Sequence, residues 1–133
     1  LFQRSPVMQH KPSHSNFFLR AWHAFGYALR GLRAAWSAEF AFRVEVLACA
    51  VMLPLAFLLG RSPAEQLLLA GSCLAVLVCE MLNSAIEATV DRIGNEHHPL
   101  AGQAKDMGAA AVLLSLIVAA LCWGWILLDR FLL

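Results

Sequence analysis

The residues of this 133-residue chain best suited to chemistry gather in one segment, Glu80-Met-Leu-Asn83-Ser84-Ala-Ile-Glu87-Ala-Thr-Val-Asp91. On an α-helix, Glu80, Glu87 and Asp91 fall within about 40° of one another, with Asn83 about 60° to one side and Ser84 about 40° to the other. The segment follows the apolar run Leu67–Cys79. Glu80 is about 20 Å along the helix from Gln66, which places it inside an apolar layer. An acid at that depth costs on the order of 2.5–3.5 kcal/mol even on lenient insertion scales, so several on one face call for a partner or a task. Three tasks suit them: a hydrogen-bond network between the helices of an oligomer, conduction of protons or cations, or a catalytic or metal-binding site. Glu39 and the pair Lys105-Asp106 lie at the end where this stripe emerges. Glu39 and Glu87 suit Mg2+, which is often held by one or two carboxylates plus phosphate oxygens. Lys105 suits a phosphate as a point charge. Taken singly, a Lys-Asp pair before an apolar run is also a solvated anchor, and His97 and His98 also read as plain surface residues. The chain holds no GxxxxGK[ST] and no GxGxxG run, which excludes P-loop and Rossmann phosphate sites.

The elements that must position these residues follow from composition. Hydrophobic residues make up 60% of the chain and charged residues 14%, against about 45–50% apolar and about 25% charged in a soluble domain. A soluble chain this small has too little interior for so many apolar side chains. Lipid is therefore the solvent, with room for about three spans of roughly 20 residues each. Rossmann domains, TIM barrels and folds with two soluble lobes are excluded. The expected fold is an all-α membrane protein with an N-terminal amphipathic surface helix over residues 17–36. Phe18, Trp22, Phe25, Leu29, Leu32 and Trp36 share an arc of about 80° there, opposite Arg20, His23, Tyr27, Arg30 and Arg33. Spans are expected at about 40–60, 64–90 and 107–128. Pro54 lies inside the first span, where membrane helices tolerate it. Residues 61–65 read as a short turn. Asp91–Asp106, with Gly94, Asn95, Pro99 and Gly102, reads as the only substantial internal loop. Met107–Leu128 carries no charge, and Trp123 and Trp125 near its far end fit an interfacial belt.

Charge orients the chain. Residues 1–43 carry six basic residues and one acidic, whereas residues 44–133 carry four basic and eight acidic. By the positive-inside rule the basic N-terminal segment is cytoplasmic, and three spans bring the 91–106 loop to the same side. Residues 1–16 read as a flexible polar tail, with Met8 a candidate native start and no signal peptide ahead of the spans. The four cysteines, Cys49, Cys73, Cys79 and Cys122, lie in apolar runs without a CxxC pair, so they read as packing residues. The connections are too short for one subunit to enclose much space, which leads to the expectation of an oligomer.

Four runs carry a resemblance. They are Gly31-Leu-Arg-Ala-Ala-Trp36, Glu39-x-Ala-Phe-Arg43-x-Glu45, Glu80-x-Leu-Asn-Ser-Ala-Ile-Glu87-x-x-x-Asp-Arg-Ile-Gly94 and Ala104-Lys-Asp-Met-Gly108. In order and spacing they resemble the prokaryotic diacylglycerol kinase family, over residues 17–133. The likeness is greater to the Gram-negative diacylglycerol kinases than to the undecaprenol kinases that share the motifs. The resemblance implies a homotrimer in the bacterial inner (cytoplasmic) membrane, with composite sites at subunit boundaries. It implies transfer of the γ-phosphoryl of MgATP to the hydroxyl of diacylglycerol, giving phosphatidic acid, with no nucleic-acid partner. By motif, Glu80 corresponds to the general base, and Glu39 and Glu87 to the Mg2+-binding carboxylates. Lys105, Asp106, Arg20, Tyr27, Glu96, His97 and His98 correspond to nucleotide-contacting residues. Asn83 matches a polar residue beside the base, and Asp91 a polar residue important to the site. Arg33, Trp36 and Arg43, with Glu80, are expected on the lipid side.

This sequence departs from the family pattern twice. Ala109 stands where a Ser often follows Lys-Asp-Met-Gly, and Gln66 stands where an Arg is placed at the far side of the second span. Neither position belongs to the phosphoryl-transfer set. Undecaprenol as acceptor remains an alternative, because only the lipid pocket separates the two. From other classes, a proton- or cation-conducting helical oligomer and a non-enzymatic assembly module would use the same acidic stripe. The Lys105-Asp106 pair favours the kinase. Physical chemistry agrees with that reading, since a lipid hydroxyl lies at the headgroup boundary and a base just beneath it can reach it.

Overall fold

The computed structural model describes residues 16–133. The expected polar tail, Met8 included, lies outside the described residues except for Asn16. The described chain is all helical: α1 (Phe17–Ala38), α2 (Phe40–Leu59), α3 (Pro63–Ile93) and α4 (Pro99–Phe131). The last three are long and apolar enough to cross a membrane. The chain divides into two units, Leu1–Gly31 and Leu32–Leu133.

In the first unit, α1 presents Phe18, Trp22 and Phe25 as exposed side chains. Their spacing of four and three residues puts them on one face, as the helical period dictates. On the polar face the Arg30 guanidinium lies over the Tyr27 ring, 4.6 Å from its centroid.

In the second unit, α3 is the middle helix, packed against α2 and against α4. Each helix turns a near-heptad stripe inward: Leu69, Cys73, Val76 and Glu80 on α3, Phe42, Cys49 and Ala56 on α2, and Gly108, Ser115 and Trp123 on α4. Half of these ten residues are small: Cys49, Ala56, Cys73, Gly108 and Ser115. That suits lipid, where helices associate by close packing rather than by hydrophobic expulsion from water. Trp123 belongs to this core. Its indole Nε1 donates to the Leu69 carbonyl at 3.2 Å, to which Ser72 Oγ also donates at 3.0 Å. The expected aromatic belt is thus divided: Trp123 packs inward, while Trp125, two positions on, faces outward.

The α2–α3 turn saturates its backbone. Ser62 Oγ accepts from Glu65 N–H at 3.2 Å, with Pro63 at the first helical position. Gln66 Nε2 donates to the carbonyls of Phe57 and Gly60, each at 3.2 Å. These carbonyls lie past the last full turn of α2 and have no partner within the helix.

The other end differs from the sequence expectation. The 91–106 loop shrinks to Gly94–His98, because α3 runs on to Ile93 and α4 begins at Pro99. Only part of the expected turn set makes the turn. Gly94 leaves the helix at φ 159°, and His98 Nδ1 caps α4 by accepting from Leu100 N–H at 3.1 Å, ahead of Pro99. Gly102 lies within α4. At 31 and 33 residues, α3 and α4 measure about 46 and 50 Å, well beyond the roughly 30 Å of bilayer hydrocarbon. Their polar ends form a paired stem that carries Asp91, Lys105 and Asp106.

Candidate functional site

The inward stripe of α3 does not stop at the apolar core. Leu69, Cys73 and Val76 are followed at the same spacing by Glu80, Asn83 and Glu87. One face of one helix therefore passes from packing to chemistry. Glu80 is 5% exposed. Glu39 and Glu87 lie near enough for their charges to act on it, and Glu80 in turn acts on Glu45. None of the four carboxylates has a cationic partner, since the one ion pair among the described residues is Lys105 with Asp91. Asn83 Nδ2 donates to Glu87 Oε1 at 3.3 Å, which holds that carboxylate one turn above. Asn83 Oδ1 and Ser84 Oγ are buried without a partner. The close approach of α4 depends on Gly108: a Cβ there would strike Asn83 Oδ1.

Glu39 occupies the N-cap of α2, but its side chain makes no capping bond, so its carboxylate is free for other work. Arg43 is already engaged, with Nη1 donating to the carbonyls of Trp36 at 2.9 Å and Ser37 at 3.4 Å. It therefore closes the C-terminal end of α1. Arg33 and Trp36 are exposed. On the stem, Lys105 Nζ donates to Asp91 Oδ1 at 2.6 Å, so one expected site residue holds another. Asp106 is exposed beside them. A cavity of about 580 Å3 opens between the stems, and Glu96 and His98 line it with Val90 and Ala101. His97 is exposed and does not line it. Arg20 and Tyr27 belong to the other unit, where they line a recess with Leu19 and His23.

The second unit thus ties Asn83 to Glu87, sets the charges of Glu39 and Glu87 within reach of Glu80, and pairs Asp91 with Lys105. Glu45 joins these residues unforeseen. It is half-buried, and its Oε2 has no partner. The sequence does carry a signal for it. Glu45 stands three residues after Phe42 and four before Cys49, on the inward stripe of α2.

Among the described residues no three of His, Cys, Asp or Glu gather as a protein-only metal cage. Mg2+ does not require one, because it commonly takes one or two carboxylates and completes its shell with phosphate oxygens and water. Carboxylates within reach of one another's charge and without a cation fit that demand.

Comparison with known proteins points the same way. Residues 26–127 match the family described as prokaryotic diacylglycerol kinase. The chain is 48% identical over 114 residues to the diacylglycerol kinase of Escherichia coli (strain K12), covering 86% of this chain and 93% of that one. It is 50% identical over 110 residues to that of Pseudomonas aeruginosa, covering 83% and 89%. It is 41% identical over 121 residues to that of Helicobacter pylori (strain 26695), covering 91% and 94%.

Proposed function

The chain belongs to the prokaryotic diacylglycerol kinase family, and on that premise we propose how its own residues carry the γ-phosphoryl of ATP to the hydroxyl of diacylglycerol, giving phosphatidic acid. The observation that carries the proposal is Glu80: an acid 5% exposed, continuous with an apolar stripe and surrounded by carboxylates without a cation. A lipid alcohol presents its hydroxyl at the boundary between hydrocarbon and headgroups. Glu80 lies on that boundary's apolar side and accepts the hydroxyl proton as the oxygen attacks. The attacking oxygen forms a P–O bond, the bond from the γ-phosphorus to the bridging oxygen breaks, and ADP leaves.

Glu39 and Glu87 hold Mg2+ with the nucleotide, and Asn83 fixes Glu87 for that task. Bound there, Mg2+ neutralises charge on the phosphate oxygens. Lys105 meets phosphate and is positioned by Asp91, with Asp106 beside it. Arg20, Tyr27, Glu96, His97 and His98 complete the nucleotide contacts. The vertical order supports this division: Glu80 lies about two turns deeper along α3 than Glu87. The lipid must reach the first and the nucleotide the second. Arg33, Trp36 and Arg43 serve the lipid headgroup side, Arg43 by fixing the α1–α2 junction. The enzyme works as a homotrimer in the bacterial inner membrane, with the N-terminus and the α3–α4 turn cytoplasmic, as the basic N-terminal segment favours.

The test is Glu80→Gln in lipid bilayers. Phosphatidic acid formation should vanish while the helical content and the oligomer persist. Retained turnover removes Glu80 as base. Running the wild-type chain on diacylglycerol and undecaprenol side by side assigns the acceptor, and turnover confined to undecaprenol would overturn diacylglycerol as substrate.

A further inference from the structure

Cys49 of α2 and Cys73 of α3 meet in the core, 7% and 4% exposed. The Cys49 thiol donates to the Cys73 carbonyl at 3.5 Å, which sets the two residues against each other across the α2–α3 contact. Both are free. Both also line a groove of about 190 Å3 between α2 and α4, walled by Ala48, Met52, Ala119 and Trp123. Apart from Glu45 its lining is apolar, so it suits lipid-soluble molecules better than ions. Phosphoryl transfer uses neither thiol.

We propose that Cys49 and Cys73 form an oxidant-sensitive dithiol switch, closed to a disulfide by a lipid-soluble hydroperoxide that enters through this groove. One sulfur attacks the terminal oxygen of the hydroperoxide, the O–O bond breaks, and an alcohol leaves as the sulfur becomes a sulfenic acid. The second sulfur then attacks the first, the S–S bond forms, and the hydroxyl departs as water. In sum, two thiols and one hydroperoxide give one disulfide, one alcohol and one water. Thiols buried in apolar surroundings react slowly, and partition of the peroxide into lipid offsets this by raising its local concentration. The bond ties α2 to α3 about 6 Å along α2 from Glu45 and about 10 Å along α3 from Glu80. It therefore restricts the two helices directly beneath the carboxylates. The effect on turnover rests on the proposed role of Glu80; the cross-link does not.

The experiment treats the full chain in lipid bilayers with cumene hydroperoxide and, separately, with hydrogen peroxide. Peptide mass spectrometry maps the cysteines, and lipid-dependent ADP release is followed in parallel. A Cys49–Cys73 link should appear faster with the apolar peroxide, and turnover should fall roughly threefold or more as the carboxylates are displaced. A thiol reductant should reverse both. The double variant Cys49→Ser, Cys73→Ser should keep its basal turnover and lose its sensitivity. Oxidation of Cys79 or Cys122 with Cys49 and Cys73 left free overturns the proposal, as does a link that leaves turnover unchanged. A failure of the kinase reading shows separately, as absent turnover in the untreated protein with the link still mappable.

Discussion

At the residue scale, the site rests on acids that lack cations. Asn83 couples two of its features, since it holds Glu87 at 3.3 Å and leaves room only for glycine at position 108. Gly108→Ala pushes a Cβ into Asn83 Oδ1. Overpacking of this kind costs about 1–3 kcal/mol. The thermal midpoint in detergent should fall, and because Glu87 loses its tether, the Mg2+ concentration for half-maximal activity should rise. A lowered midpoint with an unchanged Mg2+ titration would free Asn83 from the metal side. Glu45→Gln tests the acid that composition did not reveal. It preserves shape on the inward stripe of α2 while removing a carboxyl that the charge of Glu80 reaches. Turnover should drop by about tenfold or more if charge beside the base matters to proton transfer, with the ATP requirement little altered. Glu80, Asn83 and Glu87 were legible because a single helical period places them on one face. Glu45 was not, because it stands two residues from Arg43, whose charge reads as solvent-facing, whereas the α1 carbonyls hold that arginine.

At the scale of elements, helix ends separate stability from catalysis. Gln66 closes the α2 end far from the carboxylates through two carbonyls. Gln66→Leu removes both hydrogen bonds, one exposed and one part-buried, at about 0.5–1.5 kcal/mol for each. Its thermal midpoint should fall while turnover of the folded fraction is preserved. Gln66→Arg should keep stability, since a guanidinium supplies donors to both carbonyls. A loss of turnover in Gln66→Leu without a loss of stability would contradict the division. The departure from Arg noted in the sequence thus has a local account. The number and order of the helices were readable from hydropathy and turn residues. The stem was not, because polar residues beyond the bilayer look like loop. Whether such a segment stays helical depends on a partner, and here Asp91 and Lys105 pair across fourteen residues of chain. Pairing at that separation leaves no periodic trace in the sequence.

At the scale of the molecule, a three-span unit with α3 in the middle leaves most of α4 uncovered: 11% of its most apolar window is buried within the chain. Lipid covers such a surface, and so does a second subunit, as a homotrimer requires. Within one chain the charges of Glu39 and Glu87 already reach Glu80. A self-contained cluster and a composite one predict different behaviour for mixed oligomers. For a self-contained cluster, activity should fall in proportion to the wild-type fraction when wild-type chains are co-assembled with Glu80→Gln chains. When Glu39→Gln is co-assembled with Glu80→Gln, no chain holds a complete cluster and no activity should return. Subunit exchange followed by phosphatidic acid measurement at several mixing ratios distinguishes the cases. If Glu39 is instead donated by a neighbour, random trimers at equal mixing regain about a quarter of their sites, because one boundary in each mixed trimer then joins two intact residues. Recovery at that level would move the catalytic unit from the single chain to the boundary between chains.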